Sequence, residues 1–256
     1  MNLTKGNVNF IVVKVMAEMK RSRPAARPAD TAQRAARLER RRGAARREIQ
    51  DAARAVLLRD GVPGLTLEAV AREAGVTKQG LLYHFASKEA LVFEFLLEEW
   101  EREAGEIAVA VESAGDGGAA LEAIIATYVR RYAGRLDVFR LVMQQVQMYD
   151  AASLIGPAEL ARLRPLNEQL YGGAERKLAA ERRSRRSGSA PGSSARRAAG
   201  PDPRQLAFCA HAAAIGIVAV KALVEKFGDP LRHSDDDLIA TMTAVFRAAV
   251  AREEKR

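Results

Sequence analysis

Three residues that can cap helices, Thr66, Thr77 and Ser87, lie ten or eleven positions apart and constrain this chain more than any other feature. Ser and Thr hydroxyls accept from the free amides of a first helical turn, so each marks a place where a helix can begin. After Thr66, Ala69, Val70 and Ala74 make one apolar face, and Gly75 follows as a turn residue that can take positive φ. Thr77 then opens a second short helix, KQGLLYHF. Ser87 opens a long one, with Phe85 just before it and Glu89 in its first turn. Upstream, Ile49, Ala52, Ala53, Val56 and Leu57 recur at helical spacing until Gly61 and Pro63 end the run.

The same period continues to the C-terminus. Phe93, Leu96, Leu97, Trp100, Ala104, Ile107 and Val111 trace one stripe, which stops near Gly115, Gly117 and Gly118. Leu121, Ile124, Ile125, Tyr128 and Tyr132 form the next. The pattern predicts further helices over Val138 to Tyr149 and Ala158 to Glu181, the latter with a soft point at Gly172 and Gly173. Leu206 to Phe227 is apolar nearly all round and predicts a helix buried on every side, with Ile215 and Val218 in an interface. Ser234 caps the last helix, striped by Leu238, Met242, Val245 and Ala249. Alanine is abundant, aromatics are only 5%, and no strand pattern of any length or repeat of 20–50 residues occurs.

Charge is distributed unevenly. The net charge is +9, yet Lys20 to Arg47 alone holds 11 basic and 2 acidic residues. Arg182 to Arg204 holds 7 basic and 1 acidic, which leaves the body of the chain acidic. Basic segments of this kind suit phosphate or anionic lipid. Residues 1–43, with Pro24 and Pro28 among arginines, are expected to be a basic and largely disordered arm, helical only from about Thr31. The stretch 183–203 is expected to be a disordered linker, because SRRSGSAPGSSARRAAG has too little apolar surface to bury. Lys14 breaks the apolar run FIVVKVM, and Met16 or Met19 offers an alternative start. A lone cysteine, Cys209, allows no internal disulfide and fits a reducing cytoplasm.

Two short helices joined through a glycine turn are the signature of a helix-turn-helix, whose second helix enters the major groove of DNA. Lys78 and Gln79 lie in the first turn of that second helix, where side chains meet base edges. Gln79 suits adenine, and Lys78 suits guanine or phosphate. Gly80 weakens the helix so early that it suggests a close approach to DNA. Leu81 and Phe85 belong to the core.

The stretch TLEAVAREAGVTKQGLLYHFASKEAL resembles the DNA-binding domain of the TetR family, over roughly Arg47 to Leu97. The resemblance implies an all-α fold of about nine helices. An N-terminal three-helix DNA-binding domain (44–90) would precede a C-terminal helical bundle (91–256) for ligand binding and dimerisation. It places Thr66, Thr77, Tyr83, His84 and Lys88 near phosphates, and Lys78, Gln79 and Gly80 against bases. Family members often have tyrosine where this chain has Leu82, so Leu82 is expected to touch a thymine methyl instead. The implied partners are a near-palindromic double-stranded operator, a second copy of the chain and a small-molecule effector. The implied activity is repression, relieved by that effector.

The effector region carries no motif for a ligand. Trp100, Tyr128, Phe139, Met143, Gln147 and Tyr171 are the expected lining of an apolar pocket for a hydrophobic or amphipathic molecule, with Tyr132, Gln144 and Met148 beside them. No cofactor or metal is expected, since Cys209 and His211, two apart, fall on different faces of a helix. Three histidines and one cysteine offer no nucleophile–base pair, so catalysis is not expected. The rival reading is a helical adaptor or membrane-surface protein without sequence-specific DNA binding. It would use the basic arm and Leu206 to Val224, but it leaves the helix-turn-helix unexplained.

Overall fold

A computed structural model describes residues 28–148, 156–187, 201–227 and 233–251, all helix and connecting turns. Ten α-helices follow in order among the described residues: α1 (Pro28–Gly64), α2 (Leu67–Glu73), α3 (Lys78–His84), α4 (Lys88–Glu112), α5 (Gly117–Tyr132), α6 (Leu136–Met148), α7 (Pro157–Asn167), α8 (Gly173–Ser187), α9 (Pro203–Phe227) and α10 (Asp235–Ala251). A single π-helical turn, Glu168–Gly172, joins α7 to α8, so that these two run as one bent element and the count becomes nine. Internal contacts divide the chain into two compact units, residues 1–48 and 49–256.

Of the first unit, residues 28–48 are described, and all are helical. The helix starts at Pro28, a residue pre-set for a first turn because its ring fixes φ and its missing amide is not needed there. Alanine and arginine then carry it on, both strong helix formers. The helix begins three residues before the expected start near Thr31, since local propensity alone suffices for helix. Residues 1–27 lie outside the described residues.

In the second unit each expected cap holds. Thr66 Oγ1 accepts from the Ala69 amide at 3.1 Å, Thr77 Oγ1 from Gly80 at 3.0 Å and Ser87 Oγ from Ala90 at 3.3 Å. Asp116 and Ser234 do the same for α5 and α10, at 2.6 and 3.1 Å. The α1 backbone leaves helical geometry at Gly61, φ 67°, and Gly75 makes the turn between α2 and α3 at φ 66°. Only glycine adopts this left-handed region freely.

Helix α5 is the axis of the larger bundle and packs against α4, α6, α8, α9 and α10. Ala120, Leu121, Ile124 and Ile125 on it are completely buried. The soft point expected at Gly172 and Gly173 is the π-helical turn. There α8 presses on α4 so closely that a Cβ on Gly173 would lie 2.8 Å from Val111 Cγ1. Helix α8 extends to Ser187, beyond the expected start of a linker at 183, because ERRSRR still favours helix. The middle of that segment, 188–200, lies outside the described residues.

Helix α9 departs from its expectation. It is long and apolar enough to cross a membrane, with mean hydropathy 2.0, but it is not buried on every side. Ala207, Ala210, Ala214 and Val218 face the bundle, whereas Phe208, Val220, Leu223 and Phe227 are more than half exposed. Val218, 1% exposed, is therefore a core residue of its own subunit and not an interface residue as expected. An all-apolar helix gives no sequence contrast between its two faces.

Replacing Gly173 with alanine should destabilise the protein by ~1–3 kcal/mol, the usual cost of overpacking a core. Alanine is the better helix former, so propensity alone predicts the opposite sign. Urea unfolding followed by circular dichroism separates the two.

Candidate nucleic-acid interface and effector core

Helix α3 has only seven residues, and its orientation follows from two of them. Leu81 is completely buried and Phe85, its C-cap, is 2% exposed. They anchor one side against the core that Val70 and Ala71 of α2 share. The other side faces solvent: Thr77, Lys78, Gln79, Leu82 and Tyr83 are exposed, and Gly80, His84 and Lys88 are half-buried beside them. Leu82 and Tyr83 are 40% and 66% exposed on this face. Tyr83 and His84 meet edge to face at 5.1 Å. Seven of the nine residues expected at DNA thus form one continuous surface around α3. Thr66 is exposed at the start of α2, and Lys88 opens α4.

Two details were not legible in the sequence. Lys78 Nζ donates to Glu68 Oε1 at 2.5 Å, tying the first turn of α3 to that of α2. The lysine holds the Glu68 carboxyl below its ordinary range, first by the hydrogen bond and then by its charge. An exposed pair of this kind is weak, so a phosphate or base can take the lysine over. Gly80 has a local reason to be small: a Cβ there would sit 3.3 Å from Thr77 Oγ1, crowding the cap.

The ties between this surface and the rest of the bundle run through α4. Gln50 and Arg54, one turn apart on α1, reach Glu94 and the Glu98–Glu99 pair on α4. Glu94 also receives both guanidinium nitrogens of Arg162 from α7, at 2.6 and 3.0 Å. Glu99 has no exposed surface at all. Arg54 donates to it, as do Arg131 at 2.9 Å, Arg102 at 3.3 Å and Arg135 at 3.5 Å. Burial alone would push its pKa up, but Arg54 above all, then Arg135 and Arg131, outweigh that and hold the carboxyl below its ordinary range.

The residues expected to line a ligand pocket fall in two groups. Tyr128 and Tyr171 come together on His211, which neither spacing nor periodicity could have shown. His211 Nε2 lies 3.0 Å from Glu103 Oε1, and its Nδ1 lies 2.9 Å from the Tyr171 hydroxyl. Tyr128 packs edge-on against the same imidazole at 5.1 Å, and Tyr132 donates to Glu103 at 3.4 Å. Burial, with the Glu103 carboxylate adding to it, pushes the phenols of Tyr128, Tyr132 and Tyr171 above their ordinary pKa. Phe139 meets Tyr132 edge to face at 5.4 Å, and Trp100 and Met143 are half-buried against the core. Gln144 is exposed, while the side chains of Gln147 and Met148 lie outside the described residues. A separate open cleft of about 440 Å³ lies between α4 and the α7–α8 bend, lined by Ala108, Glu112, Pro165, Glu168, Gln169, Gly173 and Arg176. It contains none of the expected residues. Cys209 is exposed while His211 is buried, so the two point apart as expected.

Residues 49–95 match the family described as bacterial regulatory proteins, tetR family. No curated protein matches the chain in sequence. Solved structures share its fold at low identity. A TetR transcription regulator from Haloarcula marismortui ATCC 43049 is 14% identical, with a TM-score of 0.56 over 82% of this chain and 98% of that one. The fatty acid degradation regulator FadR from Bacillus halodurans is 14% identical, with a TM-score of 0.53 over 80% and 94%. The transcriptional regulator FadR from Bacillus subtilis, in complex with stearoyl-CoA, is 15% identical, with a TM-score of 0.52 over 80% and 97%.

Changing Glu99 to Gln should cost ~3–5 kcal/mol, as expected when one partner of a buried ion-pair cluster is lost. Because the folded-state pKa of Glu99 lies below the unfolded value, its contribution is present above pH ~4.3 and disappears as the pH falls through the folded value. Acid unfolding from about pH 5 downward should therefore be shallower in Glu99→Gln than in the wild type.

Proposed function

We propose that this chain is a DNA-binding transcriptional regulator of the TetR family that acts in the cytoplasm as a homodimeric repressor, released from a near-palindromic operator by a small amphipathic molecule. The exposed face of α3 carries the reading of bases. Lys78 and Gln79 present hydrogen-bonding groups in its first turn, Leu82 offers an apolar contact for a thymine methyl, and Leu81 and Phe85 hold the helix from behind. Thr66, Thr77, Tyr83, His84 and Lys88 surround that face and are assigned to phosphates, which fix register without reading sequence. Gly80 lets the backbone come close.

A second copy of the chain is the proposed occupant of the outer faces of α9 and α10. Phe208, Ala212, Gly216, Val220, Leu223 and Phe227 lie along one exposed side of α9, and Val245 is 58% exposed on α10. A contiguous apolar face of this length rarely stays open to water. Small residues at its centre, Ala212 and Gly216, allow two such helices to approach. A two-fold pair of reading heads then requires a near-palindromic site.

For the effector, the Tyr128–Tyr132–Phe139 aromatic group suits an apolar body. The Glu103–His211–Tyr171 chain beside it supplies donors and acceptors that can be re-partnered. FadR of Bacillus subtilis, whose structure holds stearoyl-CoA, offers a precedent for an amphipathic ligand in this fold.

Selection of bound fragments from sheared genomic DNA tests the reading, and recovery of no enriched sequence would overturn it. With the enriched operator in hand, Gln79→Ala should lose ~1–3 kcal/mol on that site and little on random DNA. Equal losses would make Gln79 a backbone contact. Val220→Asp with Leu223→Asp should give a folded monomer in sedimentation, whereas Val218→Asp should fail to fold. A double mutant that remains a dimer would place the interface elsewhere.

A further inference from the structure

The surface described around α3 carries little net charge. Residues 48–88 hold five basic and five acidic side chains, so they exert little long-range pull on a polyanion. Affinity for DNA rests heavily on phosphate neutralisation, and its source must be sought elsewhere in the chain.

The N-terminal part of α1 has the required character. Between residues 32 and 47 stand seven arginines, Arg34, Arg37, Arg40, Arg41, Arg42, Arg46 and Arg47, against one acid, Glu39. Residues 32–42 are all exposed, Leu38 included at 51%. A helix that is polar all round buries no face and gains nothing from packing, so its sequence answers to another demand. Helical register sets Arg34, Arg37 and Arg41 on one side, with Arg40 and Arg47 along its flank. At 1.5 Å per residue the span from 32 to 47 is about 22 Å long. B-DNA presents one negative charge per ~1.7 Å of axis, so a rod of that length meets more than enough phosphates for every arginine on one side.

We propose that residues 28–48 form a second DNA-contacting element, a basic helix that lies on the phosphate backbone and supplies the sequence-independent part of the affinity. This rests on the reading of the chain as a DNA-binding regulator and adds a division of labour to it. The α3 surface chooses the site, while the α1 extension provides attraction to any duplex. Duplex DNA is favoured over an anionic membrane by the composition of the segment. Lipid-surface helices pair their cations with an apolar face, and here Leu38 is the one large apolar side chain between residues 32 and 47.

The experiment compares the full chain with a full-length variant carrying glutamine at Arg34, Arg37, Arg40 and Arg41, residues whose exposure and helix-compatible replacement leave the fold intact. Affinities for the selected operator and for a random duplex are titrated between about 50 and 300 mM salt. Each lost phosphate contact should flatten the slope of log affinity against log salt by ~0.9, so a loss of about three to four units is expected. Both DNAs should weaken by the same factor, leaving their ratio unchanged. Lysine at the same four positions should restore the steep slope. Identical slopes in wild type and glutamine variant would overturn the proposal, as would a loss confined to the operator. Tighter binding of the wild type to phosphatidylglycerol vesicles than to random duplex, abolished in the glutamine variant, would reassign the helix to membranes. If the wild type binds no DNA at all, the regulator reading falls together with this one. If it binds with an unchanged slope, only this one falls.

Discussion

A carboxylate cannot be buried alone, and Glu99 is buried completely. Taking such a group out of water costs several kcal/mol unless cations come with it. Here four arginines do, from α1, α4 itself, α5 and the turn after α5. The requirement fixes more than one side chain. Arg54 can reach Glu99 only if α1 lies along α4, and Arg131 only if α5 crosses at the same level. The packing of α4 against this part of α1 and against α5 is thereby written into one electrostatic demand.

Glu94, a little over one turn earlier on α4, repeats the arrangement with different partners. It takes Gln50 from α1 on one side and a two-pronged contact from Arg162 of α7 on the other. Helix α4 is thus tied to α1 by two rungs, and each rung is shared with another helix, α5 through Arg131 or α7 through Arg162. Farther along α4, Glu103 joins His211 of α9, which in turn meets Tyr171 in the π-helical turn. Three carboxylates on one helix thus make contacts to α1, α5, α7 and α9.

Local signals set local structure. Thr66, Thr77 and Ser87 cap as their hydroxyls dictate, Gly75 takes the positive φ that its turn needs, and Gly172 and Gly173 mark the bend. Helix α1 begins three residues before Thr31 and α8 runs on through 183–187, because arginine and alanine favour helix by local propensity. On α3, the exposure of Leu82 and Tyr83 follows from the burial of Leu81 and Phe85. The Lys78–Glu68 pair does not follow from any spacing rule, since it spans two helices whose angle the turn alone sets.

Residue order alone located the capped helix starts at Thr66, Thr77 and Ser87 and the short helix whose outer side is exposed, because capping, turn geometry and amphipathic period act within a few residues. It also located the positive charge. Only the tertiary structure decided which face of α9 is inside, that Val218 serves its own core while Val220 and Leu223 are left outside, and that Glu103, Tyr171 and His211 converge. Those outcomes depend on the crossing of helices 40 to 108 residues apart in the chain. No periodicity in an all-apolar segment such as AHAAAIGIVA can record which side its neighbours will take.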